Sequence, residues 1–207
     1  MDESFESGES VTIGLNFKKE KVKIVNELSE IEEYIDFKLA TVFRLNEEKN
    51  IPTKSTLNKK KSNIFGQLNY KPVKHISFGY DFSLTEDLNT FEYNSLMAKI
   101  KFENFTTQFD YLEEKGAIGL SNIIENKTKY NLNSANSISF NTRRNRKLNL
   151  TEYYNLIYEY KNDCLVAGIK YKKDYYNDGD IKPAEELFFS ITIIPLATFS
   201  PSKMVSK

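Results

Sequence analysis

The chain has 207 residues, a length that fits a single all-β domain, and carries 29 basic and 29 acidic side chains for a formal net charge of zero. That balance excludes the strongly basic character of a nucleic-acid-binding protein. Aromatics are 14% of the chain, all Phe and Tyr, against a polar mean hydropathy of −0.53, a combination that suits strands apolar on one face only.

No stretch approaches the roughly 20 apolar residues of a membrane helix, which excludes a helical membrane protein. Met1 leads into "DESFESGES", without the basic region and apolar core of a signal peptide. An exported protein would carry its signal upstream, so the expectation is a segment of a longer chain. The single Cys164 forms no internal disulfide.

In chain order, residues 1–8 read as a flexible tail. Val11, Ile13, Leu15 and Phe17 then alternate with Thr12, Gly14 and Asn16, the signature of a half-buried strand. The segment 20–33, "EKVKIVNELSEIEE", has Val22, Val25 and Leu28 at mixed spacing and reads as a loop or short helix, making the first strand the weakest assignment. Ile35, Phe37, Leu39, Thr41 and Phe43 resume the alternation. Ile64, Leu68 and Tyr70 follow, then Ile76, Phe78, Tyr80, Phe82 and Leu84 in strict alternation. Leu96, Ala98, Ile100 and Phe102 lead to Phe105, Thr107, Phe109 and Tyr111. Strands near 121–132, 136–144, 150–161, 164–175 and 186–195 bring the total to about eleven. Residues 198–207 read as a C-terminal tail.

Short and longer connections alternate along the chain. Transmembrane barrels show this asymmetry, with tight turns on one side of the membrane and longer loops on the other. The fold class expected is all-β, an antiparallel up-and-down meander of about eleven long strands forming part of a large transmembrane barrel.

Two solvents could wet the apolar parity: a soluble core or lipid. Strands of about 9–12 residues fit a tilted membrane span better than the soluble average of about 5–6. Tyr70, Tyr80, Phe102, Tyr111, Tyr130, Tyr160 and Tyr171 fall near strand ends, where interfacial belts form. The opposite parity holds Asp36, Lys38, Arg44, Asp81, Gln108, Asp110, Glu159 and Lys170, which suit a water-filled lumen. Backbone groups in lipid must all be paired, so such a sheet has to close.

Four stretches carry a family likeness: "LATVFRLNEEKNIPTKSTLNKKKSNIFGQLNYKP", "FGYDFSL", "KYNLNSANSISFNTRRNRKLNLTEYYNLIYEYKNDCLVAGIKYKK" and "PAEELFFSITIIPLA". In order and spacing they resemble the C-terminal barrel portion of the LptD family of lipopolysaccharide-assembly outer-membrane proteins, once called organic solvent tolerance proteins. The likeness spans roughly residues 9–197. It implies a barrel of about 26 strands in the outer membrane that delivers lipopolysaccharide to the outer leaflet without a chemical step. The partners it implies are lipopolysaccharide, an LptE-like plug lipoprotein, a periplasmic lipopolysaccharide-bridge protein, the barrel-assembly machinery and membrane lipid. It implies no cofactor and no nucleic acid.

The resemblance also assigns residues. Cys164 matches a family cysteine that pairs with one near the N-terminal domain; the plain alternative is a free thiol at a strand start. Arg143, Arg144, Arg146 and Lys147, with Lys59, Lys60 and Lys61, are candidates to hold lipopolysaccharide phosphates, Arg being suited to bidentate contacts, or are simply solvated loops. Pro183 and Pro195 flank the last strand and lack the N–H needed for pairing, so they could weaken a lateral gate; Pro is also common at strand ends. His75, the only histidine, has no accompanying nucleophile motif, so no enzyme is expected. The alternatives are another outer-membrane channel, such as a porin, and a soluble lipid-binding barrel.

Overall fold

The computed structural model describes residues 8–25, 28–116, 118–175, 183–193, 197–199 and 204–205. They form β1 (Ser10–Val25), β2 (Leu28–Arg44), β3 (Ile64–Val73), β4 (Ile76–Leu84), β5 (Phe91–Lys101) and β6 (Phe105–Glu114). Then come β7 (Asn122–Asn131), β8 (Asn136–Asn145), β9 (Leu150–Lys161), β10 (Leu165–Asp174) and β11 (Ala184–Ile193). Two short pieces, β12 (Ala197–Phe199) and β13 (Met204–Val205), end the series. Helix is confined to one 3-10 turn at Thr53–Ser55 among the described residues.

The chain divides into two compact units: residues 1–98 with 111–122, and residues 99–110 with 123–207. In the first, strand order follows the sequence from β1 to β5; in the second it runs from β7 to β12, with β13 also pairing on β11. Every pair of described register is antiparallel. The eleven long strands expected from the alternation are all present.

One expectation is corrected. Residues 20–25 and 28–33 are neither loop nor helix: they belong to β1 and β2, an antiparallel ribbon paired from Ser10↔Arg44 to Val25↔Leu28. Only residues 26–27 separate the two strands. The first connection is therefore short, as the alternation of connection lengths requires. A second difference concerns the tail: residues 197–199 pair with Ile191–Ile193 and residues 204–205 with Glu186–Leu187, so parts of 198–207 lie along β11.

Register keeps like with like. In the first unit Phe17 lies opposite Phe37, Phe37 opposite Leu68, and Leu68 opposite Tyr80. In the second, Phe140 lies opposite Leu156, Leu156 opposite Tyr171, and Tyr171 opposite Leu187. Aromatic rings contact one another within each unit. Phe82 meets Phe91 edge-on at 5.7 Å, and Tyr154 stacks on Phe140 at 5.9 Å and meets Tyr175 at 5.6 Å.

The burial of the two parities is inverted relative to a soluble protein. No hydrophobic side chain is buried among the described residues, whereas Val11 is 62% exposed, Leu15 59% and Phe109 51%. Asp36 and Arg44, each 7% exposed, and Ser83 lie among the buried residues. A water-soluble fold hides its apolar parity, because burying it is the main favourable contribution to folding. Here that parity faces outward along strand after strand, as required of a sheet wet by acyl chains. Strands β3 to β11 run 9 to 12 residues each, enough for a tilted crossing of the hydrocarbon layer.

Gly66 shows how tightly the apolar face is filled. The Phe82 ring lies over it from the neighbouring strand, and a Cβ there would stand 2.1 Å from Phe82 Cζ. Gly66→Ala should force the ring off its seat and destabilise the fold by about 1–3 kcal/mol. Denaturant unfolding in a bilayer checks this, and the double change with Phe82→Leu should recover part of the loss.

Candidate functional site

The polar parity of the first unit is continuous across four strands. Lys38 lies opposite Asn16 on one side and Gln67 on the other, and Gln67 lies opposite Asp81. Asp36 lies between Lys18 and Asn69. Its Oδ2 accepts from Tyr34 Oη at 3.1 Å and pairs with Lys38 Nζ at 3.3 Å. Four residues expected to line a wet lumen, Asp36, Lys38, Arg44 and Asp81, thus share one strand face.

The connection from β2 to β3, residues 45–63, folds onto this face. Arg44 Nε donates to Leu57 O at 2.6 Å and Arg44 N to Lys60 O at 2.8 Å. Ser62 N donates to Val42 O, and Ser62 Oγ accepts from Val42 N, both at 2.9 Å. Asn63, 2% exposed, donates its amide to Ser83 Oγ at 2.9 Å and Glu92 Oε2 at 2.6 Å. Thr56 is fully buried with φ of 56°, a left-handed conformation unfavourable for a β-branched side chain. Its Oγ1 accepts from Asn63 N at 3.2 Å and its own N–H donates to Thr53 O. Such a backbone persists where its surroundings over-determine it.

The second unit presents its polar parity as an ion-pair network. Lys127 Nζ lies 2.8 Å from Glu125 and 3.8 Å from Asp110, and Gln108 Nε2 donates to both Asp110 oxygens. Arg143 lies 3.9 Å from Glu125, and its Nε is 2.8 Å from Glu152 Oε2, at ion-pair distance though off-line for a hydrogen bond. Tyr153 Oη donates to Glu125 at 3.1 Å. Glu159 pairs with Lys129 at 4.0 Å, and Lys170 Nζ stands 5.9 Å over the Phe188 ring. Gln108, Asp110, Glu159 and Lys170 are all half-buried on this face. Pairs this open to water contribute little stability each, but they hold long side chains back from the space the face borders.

The chain matches the family described as LptD, LPS transport system D, over residues 16–131, more than half its length. It belongs to the LptD family. LptD proteins are outer-membrane β-barrels, and the exposed apolar parity is what that location requires of this chain. Among solved structures it is similar to a double mutant of Rh. blastica porin, with a TM-score of 0.46, 9% identity, and coverage of 87% of this chain and 79% of that one. It is also similar to a triple mutant of Rhodopseudomonas blastica porin, with a TM-score of 0.41, 9% identity, and coverage of 88% and 84%. No curated protein matches it.

The remaining residues singled out in the sequence fall in different surroundings. Arg144, near the end of β8, and Arg146 and Lys147, in the β8–β9 turn, are exposed, and Arg144 donates to Asn149 Oδ1 at 2.6 Å. Arg143 is instead held by Glu125 and Glu152, because β8 extends to Asn145 and carries it onto the polar parity. Lys59 and Lys60 are exposed, and Lys61 donates to Glu86 O at 2.9 Å. Cys164 is a free, exposed thiol in the β9–β10 turn, one residue before β10 begins. Pro183 directly precedes β11, Pro195 lies outside the described residues, and His75 is exposed in the two-residue turn between β3 and β4.

Asn63→Ala removes the donor shared by Ser83 and Glu92. It should cost about 1–3 kcal/mol, the usual penalty for stranding buried polar groups. Hydrogen exchange should then quicken across residues 45–63 while β8–β9 stays protected.

Proposed function

We propose that this chain builds part of the wall of a lipopolysaccharide translocon, moving its cargo without a chemical step. The inverted burial carries this reading: the apolar parity faces outward while charged and amide side chains are collected on the other face. Membership of the LptD family supports lipopolysaccharide as the cargo. The polar parity, including Asp36, Lys38, Arg44, Asp81, Gln108, Asp110, Glu159 and Lys170, lines the hydrated passage. Hydrophilic parts of the cargo slide past it, and its acyl chains stay with the lipid.

The short turns face the periplasm and the longer loops the cell exterior, the usual asymmetry of such barrels. Lys59, Lys60, Arg144, Arg146 and Lys147 then meet cargo phosphates on the outer side. Because lipid offers no hydrogen bonds, the strands join others into a closed barrel. Pro183 and Pro195 mark the end where that closure is weakest. An LptE-like plug lipoprotein, a periplasmic lipopolysaccharide-bridge protein and the barrel-assembly machinery are the partners, and Cys164 is the covalent tie to the periplasmic domain.

Two measurements test this. Phe109→Lys should destabilise the protein in bilayers by about 2–4 kcal/mol, whereas Gln108→Lys should change little, because only the first puts a charge into hydrocarbon. Benzoylphenylalanine at 81 or 170 should crosslink to lipopolysaccharide in cells, and the adduct should vanish when lipopolysaccharide synthesis is blocked. Stable protein with no such adduct overturns the proposal.

A further inference from the structure

On the polar face of the first unit, where Lys38, Gln67 and Asp81 are register partners, the strands and two loops border an open hollow of about 500 Å3. That volume lies within the range of small-molecule sites. Its wall includes the Phe65 and Tyr93 side chains, with Ile118 from the β6–β7 connection and Lys54 from the folded-in loop. An aromatic and aliphatic lining is out of place on a face otherwise given to charges.

The polar groups in the hollow differ from their neighbours in a second way. Lys38 in the wall of the hollow is already paired with Asp36, and elsewhere on the polar faces Lys127 is paired with Glu125 and Arg143 with Glu152. Lys54, Gln67 and Asp81 have no hydrogen-bond or ion-pair partner among the described residues, and neither the Phe65 nor the Tyr93 ring stacks on another. One cation, one anion and an amide are left to bind something else, beside two half-buried aromatic side chains that stack on no other ring among the described residues.

We propose that this hollow is a carbohydrate subsite that holds one pyranose unit of a glycan. A pyranose presents a face of C–H groups, slightly positive, that packs on the negative face of an aromatic ring. Its hydroxyls meet Asp81 as acceptor, Lys54 as donor and Gln67 as both. The mix of opposite charges favours a neutral or zwitterionic sugar over a simple anion. This deepens the proposed function, since it rests on the polar parity being the wet one, but it does not require the glycan to belong to lipopolysaccharide.

The test is saturation-transfer NMR on the full chain folded in sulfobetaine micelles, with methyl glucoside, methyl galactoside and methyl N-acetylglucosaminide as probes. At least one should bind saturably with a dissociation constant roughly in the millimolar range. Tyr93→Ala should weaken it about tenfold, and Asp81→Asn similarly. Tyr93→Phe, which keeps the ring, should retain most of the affinity, and Phe78→Ala on the opposite face should leave it unchanged. No transfer from any pyranoside overturns the proposal, as does transfer that survives both Tyr93→Ala and Asp81→Asn. Saturable binding of decyl phosphate alone would make the hollow an alkyl site and also overturn it. A parallel control separates this from failure of the wet-face reading: Asp110→Cys, made together with Cys164→Ser to remove the exposed native thiol, should react with a membrane-impermeant maleimide whether or not the hollow binds sugar.

Discussion

A β-strand satisfies its N–H and C=O groups only through the strands on either side. In a medium without water every one of those lateral bonds is obligatory, because an unpaired polar group in hydrocarbon costs several kcal/mol. Two consequences run through the molecule. Strands adjacent in sequence pair with one another, and each strand is left with two faces free to meet two different solvents. The polarity inversion is thus the same constraint seen from the side chains: with the backbone locked in the sheet, only alternation can match acyl chains on one side and water on the other.

The wet face is not merely a surface of unrelated charges. In the second unit, Arg143, Lys127, Glu125, Asp110 and Glu152 restrain one another, and in the first unit a whole loop is drawn in by Arg44, Ser62 and Asn63. Isolated surface ion pairs add little to stability. Their value here is positional: they hold long side chains in fixed places along the wet face. The buried Thr56, held in a left-handed backbone, shows that the loop is tied down from several sides rather than draped.

Most of the strand pattern was legible because alternation is enforced wherever lipid and water meet opposite faces. Ile76, Phe78, Tyr80, Phe82 and Leu84 could be assigned to one face from spacing alone. The same rule explains the error over residues 20–33. There Lys19, Lys21 and Lys23 occupy the parity that carries Val11, Ile13 and Leu15 further along β1, and a bulge between Lys21 and Val22 breaks the register. Where neither face needs to be apolar, the periodic signal disappears although the strand continues. Arg143 was misleading for a related reason: a basic run looks like a loop, yet β8 passes through it. The sugar-sized hollow left no trace in the sequence, since Lys54 and Ile118 come from loops whose folding no periodicity reports, and Phe65 and Tyr93 interrupt a parity otherwise read as polar.

The β1–β2 ribbon carries a geometric implication. Pairing of β2 with β3 ends at Tyr34↔Lys71, but β1 and β2 remain zipped together through residues 20–25 and 28–33. At about 3.4 Å per residue, that leaves a double-stranded finger roughly 20 Å long standing clear of its next neighbour. Anything approaching this edge from the turn side touches the finger, with the exposed Glu20, Lys21 and Lys23 of β1, before it reaches the rim of β3.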